Sequence, residues 1–252
     1  MAAFASLLVA SAAAVRVASL NLCSDDYALL LARPGEVVSV SKLAKDPLES
    51  PLVPLAAGIP GNRGRIEDVL AARPTLVLTM GGGGRSSGAI ARTMGMRVVD
   101  LASPGTLDGV ADNLMRVAAA LGDPRRAAPW LERLAALRRS APARQVDTIW
   151  MGGGGLTLSP GGLGAQWLSL AGMRQRALLG GRATLETLVR TPPKLLVQSD
   201  YRSGQLSQGQ RWLGHPLLRA LRSRRVATDG RRWTCAGPLM IEEIERLRRV
   251  VR

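Results

Sequence analysis

Residues 65–80 read Arg-Ile-Glu-Asp-Val-Leu-Ala-Ala-Arg-Pro-Thr-Leu-Val-Leu-Thr-Met, and this stretch decides the fold. Its first half predicts a short amphipathic helix. Pro74 ends that helix, because a proline ring has no N–H to continue the helical hydrogen bonds. The apolar run at 76–78 then predicts a strand that is buried on both faces, as in a parallel sheet. The stretch therefore predicts a helix–strand unit of an α/β protein.

The same plan occurs again at residues 184–199, which read Thr-Leu-Glu-Thr-Leu-Val-Arg-Thr-Pro-Pro-Lys-Leu-Leu-Val-Gln-Ser. Glu67 corresponds to Glu186, and Pro74 corresponds to Pro193. Two copies are too few for a solenoid, in which stacked repeats must bury a continuous core. The repeat therefore indicates two similar lobes.

Further strands and helices alternate around both copies. Candidate strands are 15–20, 37–40, 97–101, 148–151 and 225–227, and candidate helices are 27–32, 89–94, 127–139, 165–171 and 239–251. This alternation is typical of parallel α/β sheets. Between the copies, apolar residues recur every three or four positions over 106–121, where Thr106 can cap a helix and Gly122 can end it.

We therefore predict an α/β fold of two Rossmann-like lobes, bridged by a single long α-helix, with a ligand cleft between the lobes. The predicted N-terminal lobe spans residues 15–103, the connecting helix 104–122 and the C-terminal lobe 123–252. Residues 1–14 are excluded because their short apolar run, ending in Ala12-Ala13-Ala14, is typical of a secretory signal peptide. The basic residues usual at the start of such a peptide are missing. We expect an exported, soluble protein.

The net charge of +15 is the most unusual bulk property of this 252-residue chain. Nearly all of the 34 basic residues are arginines, and they are scattered, with one dense run at 222–232. Aromatic residues, on which nucleic-acid bases stack, make up only 3% of the sequence. We therefore expect no nucleic-acid partner. An anionic ligand and a basic surface-binding module remain open.

A glycine run, Gly81–Gly84, follows the first repeated strand. It matches neither the phosphate loop, which requires a lysine, nor the dinucleotide-binding spacing. A close approach of the backbone to a ligand explains it better, because ligands of open α/β sheets bind beyond the carboxyl ends of the strands.

The next residues, Gly84-Arg-Ser-Ser-Gly88, match the G-x-S-x-G motif of serine hydrolases, and Asp200 and His215 follow in hydrolase order. Four glycines separate the strand from Ser86, however, and no oxyanion-hole segment precedes it. A hydrolase that uses Ser86 is therefore the alternative function.

Several other side chains allow both a structural and a functional explanation. The helix dipole accounts for the acidity of Glu67 and Glu186 but not for their equivalent placement in the two lobes. Trp233, in a predicted loop before the last helix, and Tyr201, after the second repeated strand, can each line a cleft or pack in the core.

The chain resembles the substrate-binding proteins of ABC importers for cobalamin and iron–siderophores, the class with a rigid helical connector. The resemblance covers essentially all of residues 15–252. It is carried by the two Glu-to-Pro units at 67–77 and 186–196, the opening Ser19-Leu-Asn-Leu-Cys23, Asn62-Arg-Gly64, His215-Pro216 and Trp233-Thr-Cys235.

This resemblance implies a periplasmic, monomeric binding protein and not an enzyme, with an ABC permease as its partner. Glu67 and Glu186 would form salt bridges with permease arginines. The ligand would lie between the lobes. The residues that the resemblance places there are Asn21, Cys23, Ser24, Lys42, Arg63, Met80, Gly81, Arg85, Gly153, Tyr201, Arg202, Trp233 and Cys235.

The cargo implied is a metal chelate, because one histidine departs from the ligand sets of proteins that carry bare metal ions. The protein would then need no cofactor of its own, since the chelate carries the metal. An anionic ferric siderophore would use basic residues of that set, namely Lys42, Arg63, Arg85 and Arg202. A corrinoid, which the resemblance favours slightly, would pack on Trp233 and Tyr201. Cys23 and Cys235 would face each other across the cleft, as a disulfide or as free thiols near the metal.

Overall fold

The structure is a computed structural model that describes residues 15–82, 85–202, 204 and 207–251. The predicted signal peptide and the second half of the first glycine run, Gly83 and Gly84, lie outside the described residues. None of the described helices combines the length and the apolar composition that a membrane span requires.

The N-terminal lobe is built on a parallel sheet of order β3-β2-β1-β4-β5. Its elements are β1 Val17–Ser19, α1 Leu22–Leu31, β2 Val37–Ser41, α2 Val53–Ala56, β3 Gly61–Asn62, β4 Leu76–Met80, α3 Arg85–Thr93 and β5 Arg97–Leu101, with 3-10 helices at Lys42–Lys45 and Ile66–Ala72. Every residue of β4 is buried, as predicted for a strand covered on both faces.

The connection between the sheets contains two helices, α4 Leu107–Ala120 and α5 Ala128–Arg139, with a 3-10 helix at Pro124–Ala127 between them. Thr106 caps α4 by accepting a hydrogen bond from the Gly109 amide at 3.1 Å, as its sequence position predicts. The helix has 14 residues and is therefore shorter than the predicted span of 104–122. A single long connecting helix is not confirmed.

The C-terminal lobe has a second parallel sheet, of order β7-β6-β8-β9. Its elements are β6 Val146–Met151, α6 Leu163–Leu170, β7 Met173–Gln175, α7 Leu185–Arg190, β8 Leu195–Ser199, α8 Gln208–Leu213, α9 Pro216–Ala220, β9 Arg224–Thr228, α10 Gly230–Cys235 and α11 Leu239–Val251, with 3-10 helices at Gly153–Gly155 and Leu179–Gly181.

The two sheets confirm the internal repeat. The order β2-β1-β4-β5 in one lobe corresponds to β7-β6-β8-β9 in the other. In each lobe the repeated helix packs on the repeated strand: Val69 shares a buried cluster with Val77, and Leu188 shares one with Leu196. The predicted α/β fold of two similar lobes is therefore confirmed.

Four local predictions differ from the structure. The first repeated helix is a 3-10 helix, Ile66–Ala72, with no side-chain cap, whereas Thr184 caps its counterpart α7. The Pro- and Gly-rich segment 51–64, which reads as a loop in the sequence, contains α2 and β3, and the short strand β7 was not predicted. The segment around Trp233 is the helix α10 and not a loop. These elements are short, so their contacts with the rest of the fold, rather than their local sequence, decide their conformation.

Candidate functional site

The carboxyl ends of the two sheets face each other. One buried apolar cluster contains residues of both lobes and of α4, among them Tyr27 and Ile241. Segments that follow strands β1, β2, β8 and β9 add two groups of covalent and polar contacts between the lobes. We call the first group the disulfide junction (Cys23, Asp26, Arg232 and Cys235) and the second the carboxylate junction (Pro47, Glu49, Tyr201, Arg202 and Arg231). This is where open parallel sheets bind their ligands.

At the disulfide junction, the first turn of α1 is covalently joined to the last residue of α10. Cys23 and Cys235 form a disulfide with their Cα atoms 5.3 Å apart. The sequence left open whether these cysteines were bridged or free, and the structure selects the bridge. Because the cysteines belong to different lobes, the bond fixes the distance between α1 and α10.

Two adjacent carboxyl groups, Asp25 and Asp26, are buried in α1 beside this disulfide. Burial raises the pKa of Asp25 to about 6, although the Ser41 hydroxyl and backbone N–H both donate to its carboxylate. Burial and the neighbouring Asp25 charge raise the pKa of Asp26, and the positive charge of Arg232 across the junction opposes that rise. Two carboxyl groups at or beside the disulfide junction therefore hold a proton to higher pH than exposed aspartates do.

At the carboxylate junction, a turn of the N-terminal lobe reaches the C-terminal lobe. The Tyr201 hydroxyl donates to the Glu49 carboxylate at 2.5 Å, and the Arg202 guanidinium forms an ion pair with the other carboxylate oxygen. Arg231 donates to the carbonyl oxygen of Pro47 at 2.9 Å. Polar contacts therefore join the lobes here.

A cavity of about 190 Å³ adjoins the carboxylate junction. Both lobes line it, with residues Pro47, Leu48, Asp200, Tyr201, Arg202, Gly204, Asp229 and Arg231. Asp229 binds the Arg231 guanidinium through two hydrogen bonds of 2.8 Å, which lowers the pKa of the Asp229 carboxyl. The cavity wall is thus polar, with two arginines and two aspartates.

Three of the predicted ligand residues use their polar groups within the N-terminal lobe. Asn21 caps α1 by accepting from the Ser24 amide at 3.0 Å, and its side-chain amide donates to the carbonyl oxygen of Met80 at 3.0 Å. The Ser24 side chain is buried and bonds to Asn21 and Ser19. These contacts tie the ends of β1 and β4 together.

Other predicted residues lie in the segments that follow strands. Lys42 and Arg63 are exposed, after β2 and β3 respectively. Gly81 follows β4 with a positive φ of 69°, and a Cβ atom there would lie 2.7 Å from the Ser103 hydroxyl, so glycine is required. Arg85 is the first residue of α3, and Gly153 opens a 3-10 turn after β6.

Trp233 belongs to the core of the C-terminal lobe. Only 9% of its surface is exposed, its ring lies 5.4 Å from that of Trp150, and its indole N–H donates to the Thr228 hydroxyl at 2.7 Å. Thr228 in turn donates to the buried Glu243 carboxylate. A buried indole N–H needs a polar partner. The helix α10 places the Trp233 ring where its N–H reaches the Thr228 hydroxyl.

The two glutamates of the repeat lie on the surface, as permease docking would require. Glu67 is exposed in the 3-10 helix Ile66–Ala72, and Glu186 is exposed in α7, where Arg190 pairs with it at 3.2 Å. The repeat therefore presents an acidic side chain from equivalent positions of the two lobes.

The predicted hydrolase residues serve other purposes. Asp200 accepts a hydrogen bond from the Gly230 amide, and His215 caps α9 by accepting from the Leu217 amide. Ser86 is exposed in α3.

Among the described residues, no group of three or more His, Cys, Asp or Glu is placed to hold a metal ion.

Comparison with known proteins decides between these interpretations. A family model described as periplasmic binding protein matches residues 17–228. The chain belongs to the periplasmic binding protein family. A member of this family is a binding protein and not an enzyme, so a hydrolase reaction at Ser86 is not supported. No curated protein sequence gives a significant match.

Solved structures of periplasmic binding proteins share the fold. A heme-binding protein of Vibrio cholerae superposes with a TM-score of 0.73 at 16% identity, covering 94% of this chain and 98% of that one. A heme-binding protein from Roseiflexus sp. RS-1 in its apo form gives 0.70 at 22% identity, with coverage of 93% and 97%. A vitamin B12-binding protein of Vibrio cholerae gives 0.62 at 17% identity, with coverage of 93% and 95%.

The sequence analysis did not identify Glu49, Asp26 or Arg231. Glu49 stands in a polar turn where an exposed glutamate is the usual expectation. Its contact with Tyr201 joins residues 152 positions apart, and no local pattern signals such a pair. Asp26 offered a weak signal, because an acidic residue in the first turns of a helix is common on dipole grounds alone.

Proposed function

We propose that this protein is the exported, periplasmic binding component of an ABC importer, which captures a metal chelate between its lobes and delivers it to a membrane permease. The family membership carries the proposal, and the polar cavity lined by both lobes supports it. The chelator would hold the metal, so the protein would supply shape and charge. Tetrapyrroles and ferric siderophores are the cargo classes that fit, and the solved relatives named for heme and vitamin B12 support the first class.

Direct binding tests the cargo. Purified protein is titrated with heme, cyanocobalamin, ferric citrate and ferrioxamine B, and binding is followed by absorbance and by native mass spectrometry. We expect one chelate to bind saturably at a ratio of one per chain. Free Zn²⁺ and Fe³⁺ serve as controls and should not bind tightly. Failure of every chelate to bind would reject the proposal.

Docking is tested separately from binding. We propose that Glu67 and Glu186 contact arginines of the permease, one from each lobe. The double variant Glu67→Ala/Glu186→Ala should lose most chelate uptake in cells that contain the cognate permease and keep its affinity for the chelate. Glu132→Ala, which removes an exposed glutamate of α5, is the matched control and should transport normally. A loss of chelate affinity in the double variant would place these carboxylates in the cleft instead.

A further inference from the structure

The carboxylate junction has the composition of an anion-binding site, and its occupant belongs to the protein itself. The Glu49 side chain is only 7% exposed, yet it is a charged residue in a surface turn. One of its carboxylate oxygens accepts from the Tyr201 hydroxyl, and the other pairs with the Arg202 guanidinium. A hydroxyl and a guanidinium that bind the two oxygens of one carboxylate form a specific carboxylate site.

The C-terminal lobe fixes both donors of this site. The Tyr201 backbone N–H donates to the Ser199 hydroxyl at 3.3 Å, and the Tyr201 side chain lies against Gly230, where an added Cβ atom would come within 2.3 Å of the Tyr201 Cβ atom. The Arg202 guanidinium lies 5.7 Å from the centre of the Tyr201 ring, in a cation–π contact. Hydroxyl and guanidinium are therefore held beside each other by one lobe.

The occupant comes from a turn of the other lobe. Glu49 lies in a turn in which its backbone N–H donates to the Asp46 carbonyl oxygen at 3.0 Å. The turn borders the inter-lobe cavity through Pro47 and Leu48. At about 190 Å³ this cavity is smaller than the 300–1,000 Å³ usual for ligand pockets, so a chelate needs the turn to move away.

We propose that Tyr201 and Arg202 anchor a carboxylate group of the cargo, and that Glu49 is an internal substitute which this carboxylate displaces. The inference rests on the proposed function and narrows it to chelates with a free carboxylate. Exchange of one carboxylate for another keeps the Arg202 charge and the Tyr201 hydroxyl paired when the turn moves. A neutral ligand that displaced Glu49 would leave the guanidinium unpaired at a partly buried position.

The test compares chelates that carry a carboxylate with chelates that lack one. Heme carries two propionates, and its dimethyl ester carries none. We expect the wild-type protein to bind heme at least tenfold more tightly than the ester. Ferric citrate and ferrioxamine B form a second pair with and without carboxylates, for a siderophore cargo. Binding of cyanocobalamin or ferrioxamine B in preference to both carboxylate ligands would uphold the proposed function and overturn this inference.

Two substitutions act on the two sides of the site in opposite directions. Arg202→Gln should weaken binding of the carboxylate ligand at least tenfold and leave binding of its carboxylate-free partner unchanged. Glu49→Gln should strengthen binding of the carboxylate ligand several-fold, because the internal competitor loses its charge while its amide oxygen can still accept from Tyr201. Arg190→Gln, on the surface of α7, is the control and should change neither affinity.

Thermal unfolding of each variant checks that the fold is retained. Equal loss of affinity for both members of a ligand pair in Arg202→Gln would show a structural role and overturn the inference. Weaker binding of the carboxylate ligand in Glu49→Gln would also overturn it, because that result would make Glu49 part of the binding surface.

Discussion

The two junctions between the lobes differ in how they can respond to a ligand. The disulfide junction joins two helices by a covalent bond beside buried carboxyl groups. The carboxylate junction joins a turn to a strand end through one hydrogen bond, one ion pair and a contact to a backbone oxygen. The first sets the spacing between α1 and α10 by a covalent bond, whereas the inferred exchange of carboxylates requires the second to open. Contacts that break during function belong to the less stable part of a structure.

The largest expected effect comes from breaking the disulfide junction. The bridge joins residues 212 positions apart. Loss of a disulfide that closes so long a loop gives the unfolded chain a large gain in conformational entropy. Cys23→Ser should lower the free energy of unfolding by about 2–5 kcal/mol. Urea unfolding measures this loss. The wild-type protein in a thiol reductant should show the same loss, and Cys23→Ser should be insensitive to the reductant. A change near zero would mean that the junction holds without its covalent bond.

The buried acids of the disulfide junction should make stability depend on pH. The folded-state pKa of Asp25, about 6, lies above its unfolded value, so its contribution is full at low pH and is lost as the pH rises through 6. The loss amounts to about 3 kcal/mol at most. Asp26 acts in the same direction.

Unfolding in urea between pH 5 and pH 7 measures this slope. Asp25→Asn and Asp26→Asn should each flatten it and be at least as stable as the wild type at pH 7. Asp108→Asn changes a carboxylate that is 79% exposed and should keep the slope. A wild-type stability that rises steadily from pH 5 to pH 7 would contradict the assignment.

Gly230, the first residue of α10, packs against Ser199 at the end of β8 and against Tyr201 of the carboxylate junction. Substitution of Gly230 should therefore distort that junction. A Cβ atom at Gly230 would lie 2.2 Å from the Ser199 hydroxyl and 2.3 Å from the Tyr201 Cβ atom, so the backbone must shift. Gly230→Ala should cost about 1–3 kcal/mol in unfolding free energy, as overpacking does. Gly161→Ala, where nothing lies within 4 Å, is the control. Equal melting temperatures for the two variants would show that Gly230 has room for a side chain.

The smallest stability effect is expected for the ion pair itself. Glu49→Gln keeps the shape of the side chain, and Arg202, whose side chain is 35% exposed, can regain water. The loss in unfolding free energy should be about 1 kcal/mol or less. The same urea titrations as for Cys23→Ser give a direct comparison. A loss as large as that of the disulfide would mean that the carboxylate junction is structural and does not open.

Much of the fold was predictable because it depends on short-range patterns. The unit at 65–80 combines a helical period, a proline and a buried strand, and its second copy at 184–199 identified the two lobes. The equivalence of Glu67 and Glu186 followed from the same alignment. Prediction was poorer where an element is short: the first repeated helix adopted the 3-10 form, and the segment around Trp233 folded as a helix.

The sequence by itself determined the family and the repeated α/β lobes. Only the tertiary structure decided which of these residues meet. It joined Cys23 to Cys235, buried Trp233, and placed Glu49 between Tyr201 and Arg202. The reason is physical. Periodicity and turn chemistry act within a few residues, whereas these contacts link positions 152 and 212 apart and depend on how the two lobes pack against each other.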